Sequence, residues 1–307
     1  MQVAEAVQLY RFAILHLSEQ SQHWYETRLK PFATWCAEQK LELEQLKTSH
    51  IRQYIAYQQS KISKQSGKKL SSYTVHGHAR GVRAFLNWCA REDGLADKVS
   101  EKVARRIGMP HLEEKVVEMF SDEQIKALFV ACDQEFLPKL RWRDRAILMM
   151  LLDTGIRADE LCSLTLENCT LLPEMSFIRV HGKGDKWREI GLGKKARAVI
   201  HRYVSLYRRG ARKQEPVFVS RFNKPLTINA LERMTHRLGK WAHLDGVHCH
   251  PHAFRHTFAC NYLLQGGDVY VLSLLMGHTS VLVTQRYLKA IKAQQARRMS
   301  KSVVDNL

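Results

Sequence analysis

The stretch "HPHAFRHTFACNYLLQGGDVYVLSLLMGH" (residues 250–278) reads as two helices, near 252–265 and 269–276, separated by a polar turn. Three polar groups interrupt its apolar positions: His252, Arg255 and His278. Taken alone, His252 and Arg255 lie three apart on one helix face and suit a surface pair, and His278 suits a loop carbonyl. The chain runs on into "TSVLVTQRYLKA" (279–290), a further helix over 280–287, where Tyr287 sits among Val281, Leu282, Val283 and Leu288. In isolation that tyrosine is a core aromatic. The remainder of the chain changes that reading.

Upstream, "RDRAILMMLLDTGIRADELCSLT" (143–165) is a nearly continuous apolar helix that ends near Asp153-Thr154-Gly155. Gly155 fits a helix C-terminus, and a second helix starts around Ala158. Arg157 therefore stands at a helix-to-helix junction. "MSFIRVHGKGDKWREIGL" (175–192) is the clearest strand signal, a hairpin with Lys183 at its tip. "PVFV" (216–219) is long enough only to edge a sheet, and a helix spans 227–243. "SDEQIKALFVACDQEF" opens this unit with a Ser121–Gln124 capping box.

Residues 1–100 read as helices. Trp24, Leu29, Phe32, Trp35 and Cys36 recur at helical spacing, as do Ile51, Tyr54, Ile55 and Gln58, with Ser49 a candidate cap. A basic Gly/Ser-containing loop, "SKQSGKKLSS", precedes a helix over 73–90 that turns Val75, Val82, Phe85, Leu86 and Cys89 inward and His78, Arg80 and Arg83 outward. Gly108 and Pro110 break the pattern. The expected organisation is a helical domain over 1–105, a linker over 106–117 and a second domain over 118–307 with a tail over 288–307. The fold class is an all-α N-terminal domain plus a mixed α/β, mainly helical, domain with a small β-sheet or hairpin.

The chain has 307 residues, ample for two domains, and is 45% hydrophobic, which implies a packed core. Forty-eight Lys and Arg against 30 Asp and Glu give +18, which points to a polyanionic partner. Both parts are basic: residues 1–110 carry 17 basic and 10 acidic side chains. No stretch approaches the roughly 20 apolar residues needed to span a bilayer. The opening "MQVAEAVQLYRFAILHLSEQ" lacks the basic start and cleavage site of a signal peptide. Seven cysteines without a C-x-x-C motif suit buried thiols in a reducing cytoplasm.

Two arginines, a lysine, two histidines and a tyrosine suit phosphoryl transfer. A guanidinium fork binds two oxygens of one phosphate, and fixed donors stabilise the charge that grows there. Histidine shares a proton near neutral pH, lysine protonates a leaving alkoxide, and tyrosine gives a covalent phosphoenzyme. The order Arg, Lys, H-x-x-R, Gly-His, Tyr, with these surroundings, resembles the tyrosine recombinase family (phage integrases, Xer-type and Cre-type recombinases). "DTGIRADEL" is similar to the family's first-arginine box, giving Arg157 with Glu160 in support. "HGKGDKWREIGL" is similar to its β-hairpin box, giving Lys183 as general acid with Lys186 as fallback. The stretch over 250–278 resembles the second box, giving His252, Arg255 and His278, and "TQRYL" gives Tyr287. One local departure is Met276, where leucine is usual before Gly-His.

The resemblance implies a two-domain clamp on duplex DNA and attack by Tyr287 to leave a 3′-phosphotyrosine and a free 5′-hydroxyl. It also implies strand exchange through a Holliday junction by four protomers on two sites, without ATP, cofactor or metal. The N-terminal helices would be the core-binding domain, and an accessory protein and a cytoplasmic, nucleoid-associated location fit the same reading. Ile291, Ala296, Met299, Val303 and Val304 of the tail would dock on a neighbouring protomer or pack on their own domain. Candidate DNA contacts are His78, Arg80, Arg83, Asn229, Arg233, Arg237 and Lys240. Three rivals stand beside this reading: a type IB topoisomerase, a non-catalytic DNA-binding protein on the same fold, and a zinc protein using His248, Cys249, His250, His252 and His256, which lacks an evident partner pair of ligands.

Overall fold

The computed structural model describes residues 1–63, 67–112, 119–182, 186–288 and 291. The chain divides into two compact units, Met1–Lys115 and Val116–Leu307. It is mainly helical, with one three-stranded sheet among the described residues.

The first unit packs α1 (Val3–Ala13), α2 (Glu19–Glu38), α3 (Thr48–Ser60), α4 (Ser72–Cys89) and the short α5 (Glu101–Arg105). Its core joins Leu29, Phe32 and Cys36 of α2 to Ile51 and Tyr54 of α3 and Val82, Phe85 and Leu86 of α4. These are the apolar positions that recur at helical spacing in the sequence. Helix α3 starts at Thr48, so Ser49 lies inside its first turn and is not its cap.

The second unit contains α6 (Asp122–Ala131), α7 (Pro138–Thr154), α8 (Ala158–Ser163), β1 (Cys169–Leu171), β2 (Ser176–Gly182), β3 (Lys186–Gly191), α9 (Lys194–Tyr207), α10 (Ile228–Trp241), α11 (Pro251–Leu264) and α12 (Val269–Met276). Residues 281–288 form a further helical stretch. Ser121 and Gln124 close the capping box of α6 in both directions. The core is built on α7, whose Ala146, Ile147, Leu148, Met150 and Leu151 are buried, with the helix packed between α9 and α11. This explains the unbroken apolar run: a helix covered on several sides has no polar face to display.

The sheet order is β1-β2-β3, antiparallel throughout. In the hairpin Ile178 pairs with Ile190 and Val180 with Arg188. The 216–219 stretch does not edge this sheet. It makes isolated bridges, Thr165–Pro216 and Val219–Pro225, and the third strand is β1. Three residues are too few to display an alternation in sequence.

Two helices of this unit end on left-handed glycines, Gly155 after α7 (φ 58°) and Gly277 after α12 (φ 61°). A side chain at Gly155 would start 2.2 Å from the Phe258 ring. At Gly277 it would start 2.8 Å from an Arg188 guanidinium nitrogen and 3.3 Å from one of Arg157. Only glycine combines this backbone with this closeness, and both sharp stops deliver carbonyl groups to the site described next.

Candidate active site

Helix C-termini leave backbone carbonyls without intrahelical partners. Here arginines take them. Arg255, on α11 and 4% exposed, donates to Gly155 O and Met276 O, each at 2.6 Å. Arg157 donates to Gly277 O at 2.7 Å, and Arg188 to Leu275 O at 2.7 Å. One carboxylate ties two of these together. Glu160, 2% exposed, accepts from the Arg157 backbone N–H and guanidinium and from two guanidinium nitrogens of Arg188, all at 2.8 Å. Burial pushes the Glu160 carboxyl up, but its bonds to Arg188 and Arg157 win and hold it below the usual range. Burial, with Arg157 nearby, lowers the Arg255 guanidinium to about 10, so it remains charged at neutral pH.

His278 follows directly on Gly277. Its Nε2 lies 3.1 Å from an Arg255 nitrogen and its Nδ1 lies 2.8 Å from Thr284 Oγ1. Arginine can only donate, so Nε2 must be the unprotonated nitrogen and Nδ1 carries the hydrogen toward Thr284. Burial and the Arg255 charge lower His278 to about 4, consistent with that neutral tautomer. The Tyr287 ring stacks on His278, with centroids 6.5 Å apart and planes 6° from parallel. Tyr287 is 5% exposed and packs with Ala259, Cys260, Leu272, Met276 and Ile291. Its hydroxyl lies 3.0 Å from Nδ1 of His256. Burial raises the phenol above its ordinary value, against the opposing pull of Arg255.

The structure thus brings Arg157, Glu160, Arg255, His278 and Tyr287 together. His252 is exposed on the same helix as Arg255, its ring 6.3 Å from those of His250 and His256. Partial desolvation of the ring against its neighbours, then Arg255 and Arg157, lower its pKa. Lys183 lies outside the described residues; Lys186 is exposed at the start of β3. Of the tail over 288–307, Leu288 and Ile291 are described, and Ile291 packs within its own chain. No three His, Cys, Asp or Glu side chains among the described residues converge on a metal position.

The DNA-contact candidates separate. Arg80 is exposed, its guanidinium 4.4 Å over the Trp24 ring, and Arg83 is half-buried. His78 does not share that face: it is 5% exposed, between Tyr54 Oη at 3.4 Å and Arg28 O at 3.2 Å. The small Gly77 and Gly81 on α4 let Arg28 of α2 approach and enclose His78. Asn229, Arg233 and Lys240 are exposed on α10. Arg237 is turned inward instead, pairing with fully buried Asp144 at 2.7 Å and with Glu135 at 2.8 Å.

Two neighbours of this cluster are not assigned to it by the sequence, where His256 figures only as a candidate zinc ligand. Arg188 shares the inward face of β3 with Ile190, and an arginine in that alternation demands a buried carboxylate. His256 lies four residues after His252, hence on the same helix face, and immediately follows Arg255.

Comparison with known proteins bears on the fold and the family. The profile of the phage integrase family matches residues 118–294. Tyrosine recombinase XerD of Pseudomonas aeruginosa is 28% identical over 285 residues, covering 91% of this chain and 89% of the relative. Tyrosine recombinase XerC of Bacillus pumilus is 30% identical over 246 residues, covering 78% of each. Among solved structures, the XerH recombinase bound to its difH substrate in a post-cleavage complex superposes with a TM-score of 0.72 at 18% identity, covering 91% of this chain and 79% of that one. A lambda integrase dimer on a core site superposes with a TM-score of 0.70 at 14% identity, covering 94% and 77%. The structural likenesses speak for the fold, and the matched profile, together with the order of the boxes, for descent: the chain belongs to the phage integrase family of tyrosine recombinases.

Proposed function

We propose that this protein cleaves and rejoins duplex DNA at specific sites, with Tyr287 as nucleophile. The observation that carries this reading is the convergence of Arg157 and Arg255, from separate segments, on the carbonyls around Gly277, with the Tyr287 ring stacked on the adjoining His278. Arg157 and Arg255 bind the non-bridging oxygens of the scissile phosphate, His252 donates to the same group, and His278 holds the Arg255 guanidinium in place. The Oη–P bond forms as the P–O5′ bond breaks, and Lys183, assigned by family resemblance, protonates the departing oxygen. A 5′-hydroxyl from the partner duplex reverses the step, so bond energy is conserved and no nucleotide cofactor is required.

In this reading residues 1–105 are a core-binding domain and 118–307 the catalytic domain. Four protomers work on two sites through a Holliday junction in the cytoplasm. The free state of all seven cysteines fits a reducing compartment, and no helix among the described residues is long and apolar enough to cross a membrane. Arg80, Arg83, Asn229, Arg233 and Lys240 contact DNA; His78 and Arg237 support the helices that carry them. Relatives named for recombination, and fold relatives solved on recombination-site DNA, support the same partner.

The test is a nicked suicide substrate incubated with the wild type and with Tyr287→Phe, with cell extract supplying any activator. The expected result is a denaturation-resistant protein–DNA adduct that the variant abolishes while DNA binding persists. Tight, specific binding without an adduct on any site would return Tyr287 to the core and favour a non-catalytic DNA-binding role. Relaxation of supercoils by a lone protomer without paired sites would favour the topoisomerase alternative.

A further inference from the structure

Attack by Tyr287 releases a phenolic proton. Protonated arginines cannot take it, and the general acid is engaged at the leaving oxygen. Both ring nitrogens of His278 are committed, one to Arg255 and one to Thr284, and its ring lies parallel to the phenol rather than pointing at it. One nitrogen does point at the hydroxyl: His256 Nδ1, 3.0 Å from Tyr287 Oη, with ring planes 55° apart.

We infer that His256 is the general base for Tyr287, its Nδ1 accepting the phenolic proton as Oη bonds to phosphorus. This rests on the reading of Tyr287 as nucleophile. The step balances: Oη–P forms, P–O5′ breaks, the 5′ oxygen leaves with a proton from Lys183, and the phenolic proton converts His256 to imidazolium. Religation runs backward, with the incoming 5′-hydroxyl reprotonating the lysine and His256 returning its proton to Oη.

The surroundings hold His256 ready to accept. Burial, then His252 and His250, then Arg255 and Arg286, lower it to about 4, so before DNA binds it is neutral. The groups facing this pair are His250 at the N-cap of α11, His252 and Arg255 within it, and Arg286 on the helical stretch that carries Tyr287, with Cys260 and Arg157 also acting on the phenol. An entering phosphodiester adds a negative charge beside this cationic set, which raises the basicity of the imidazole when it is needed. Placing HxxR and the next histidine on one helix turn gives phosphate binding and proton acceptance a common support.

The experiment measures single-turnover cleavage of the suicide substrate from pH 6 to 10 for wild type, His256→Ala, His256→Asn and Lys183→Ala. Each is run on an ordinary scissile phosphate and on a 5′-bridging phosphorothiolate, whose sulfur leaves without a proton. Asparagine can accept the tyrosine hydrogen bond but cannot take up the proton. Both His256 variants are expected to bind DNA normally and to cleave at neutral pH roughly 10²-fold or more slowly on both substrates. Their deficit should shrink by about tenfold per pH unit as the phenol ionises unaided. Lys183→Ala should recover on the phosphorothiolate, which locates the His256 defect on the nucleophile side. Wild-type cleavage by His256→Asn at neutral pH, or a deficit constant across pH, would overturn the inference and leave His256 a packing residue. Absence of adduct from the wild type, or its persistence in Tyr287→Phe, would instead overturn the reading of Tyr287 itself.

Discussion

Replacing Glu160 by alanine should damage both stability and cleavage, because one buried carboxylate orients two guanidinium groups. Glu160 accepts four bonds at 2.8 Å, two from Arg157 and two from Arg188. The Arg188 side chain is 13% exposed and the Arg157 side chain 26%, so solvent replaces the missing partner poorly. Removing one member of a buried pair costs about 3–5 kcal/mol. For a unit of this size that lowers Tm by about 6–20 °C. Cleavage should fall further than stability explains, because a freed Arg157 no longer presents a fixed fork to phosphate. The assay is thermal unfolding of the full chain beside suicide-substrate cleavage well below the variant's Tm. The pH dependence adds a check. The folded protein holds this carboxyl below its ordinary value near 4.5, so its contribution is complete above that value and is lost as pH falls through the folded value. The gap between wild type and Glu160→Gln should therefore narrow below about pH 4.5. A Tm within a degree of wild type, with wild-type cleavage, would refute the claim that this carboxylate organises the site.

Gly277→Ala should cost about 1–2 kcal/mol for its left-handed backbone alone. The new methyl would also displace the Arg188 and Arg157 guanidinium groups, lowering cleavage by roughly tenfold or more (about 1.4 kcal/mol) on the suicide substrate. Arg237→Ala should lower thermal stability by about 1.5–3 kcal/mol, because it strips a charged hydrogen bond from buried Asp144. Arg233→Ala and Lys240→Ala should leave Tm unchanged and reduce the slope of log affinity against log salt by about 0.9 for each phosphate left unneutralised, measured by filter binding. His256 and His278, both lowered to about 4 from 6.5, favour their neutral forms in the fold. Their stabilisation is complete above about pH 6.5 and declines as pH falls toward 4, and a double His→Gln variant should show a flatter Tm profile across that window.

Much of this arrangement was legible in the sequence where local rules govern. Gly155 announced the end of α7, the Ile178/Val180 alternation announced the hairpin, and the spacing of Ile51, Tyr54 and Ile55 announced α3. What escaped depended on partners distant in sequence. His78 looked exposed from its helical position, but enclosure by Arg28 and Tyr54 arises only when α2, α3 and α4 assemble. Arg237 looked like a DNA contact on a basic helix, yet Asp144, 93 residues earlier, claims it. Arg188 carried the clearest unused signal, a charge in the inward register of β3. Its partner, Glu160, lies 28 residues earlier, so the sequence alone shows the charge without the carboxylate that satisfies it. His256 was visible only as one more histidine in a crowded segment until its distance to Tyr287 gave it a partner.

The charge balance of the site argues for what it awaits. Arg157, Arg188 and Arg255 bring three positive charges into one small volume, and Glu160 returns one negative charge. The remaining stabilisation comes from Gly155 O, Leu275 O, Met276 O and Gly277 O, which lie at the ends of α7 and α12 where helix dipoles are negative. Each such terminus acts as a partial charge of about half a unit at most. The carbonyls therefore fix the guanidinium groups in place without neutralising them. A site that is rigid but short of negative charge is organised in advance for an anion, and it lowers the barrier most when that anion gains charge in the transition state. Burial first, reinforced by Arg255, holds His256 and His278 neutral, and the same guanidinium draws the phenol toward ionisation against its burial. On this argument, replacing Arg188 by methionine of similar reach should preserve packing of the hairpin yet loosen Glu160 and, through it, Arg157. Cleavage should then fall while affinity for uncleaved DNA changes little. Equal loss of binding and cleavage would instead make Arg188 a direct phosphate ligand.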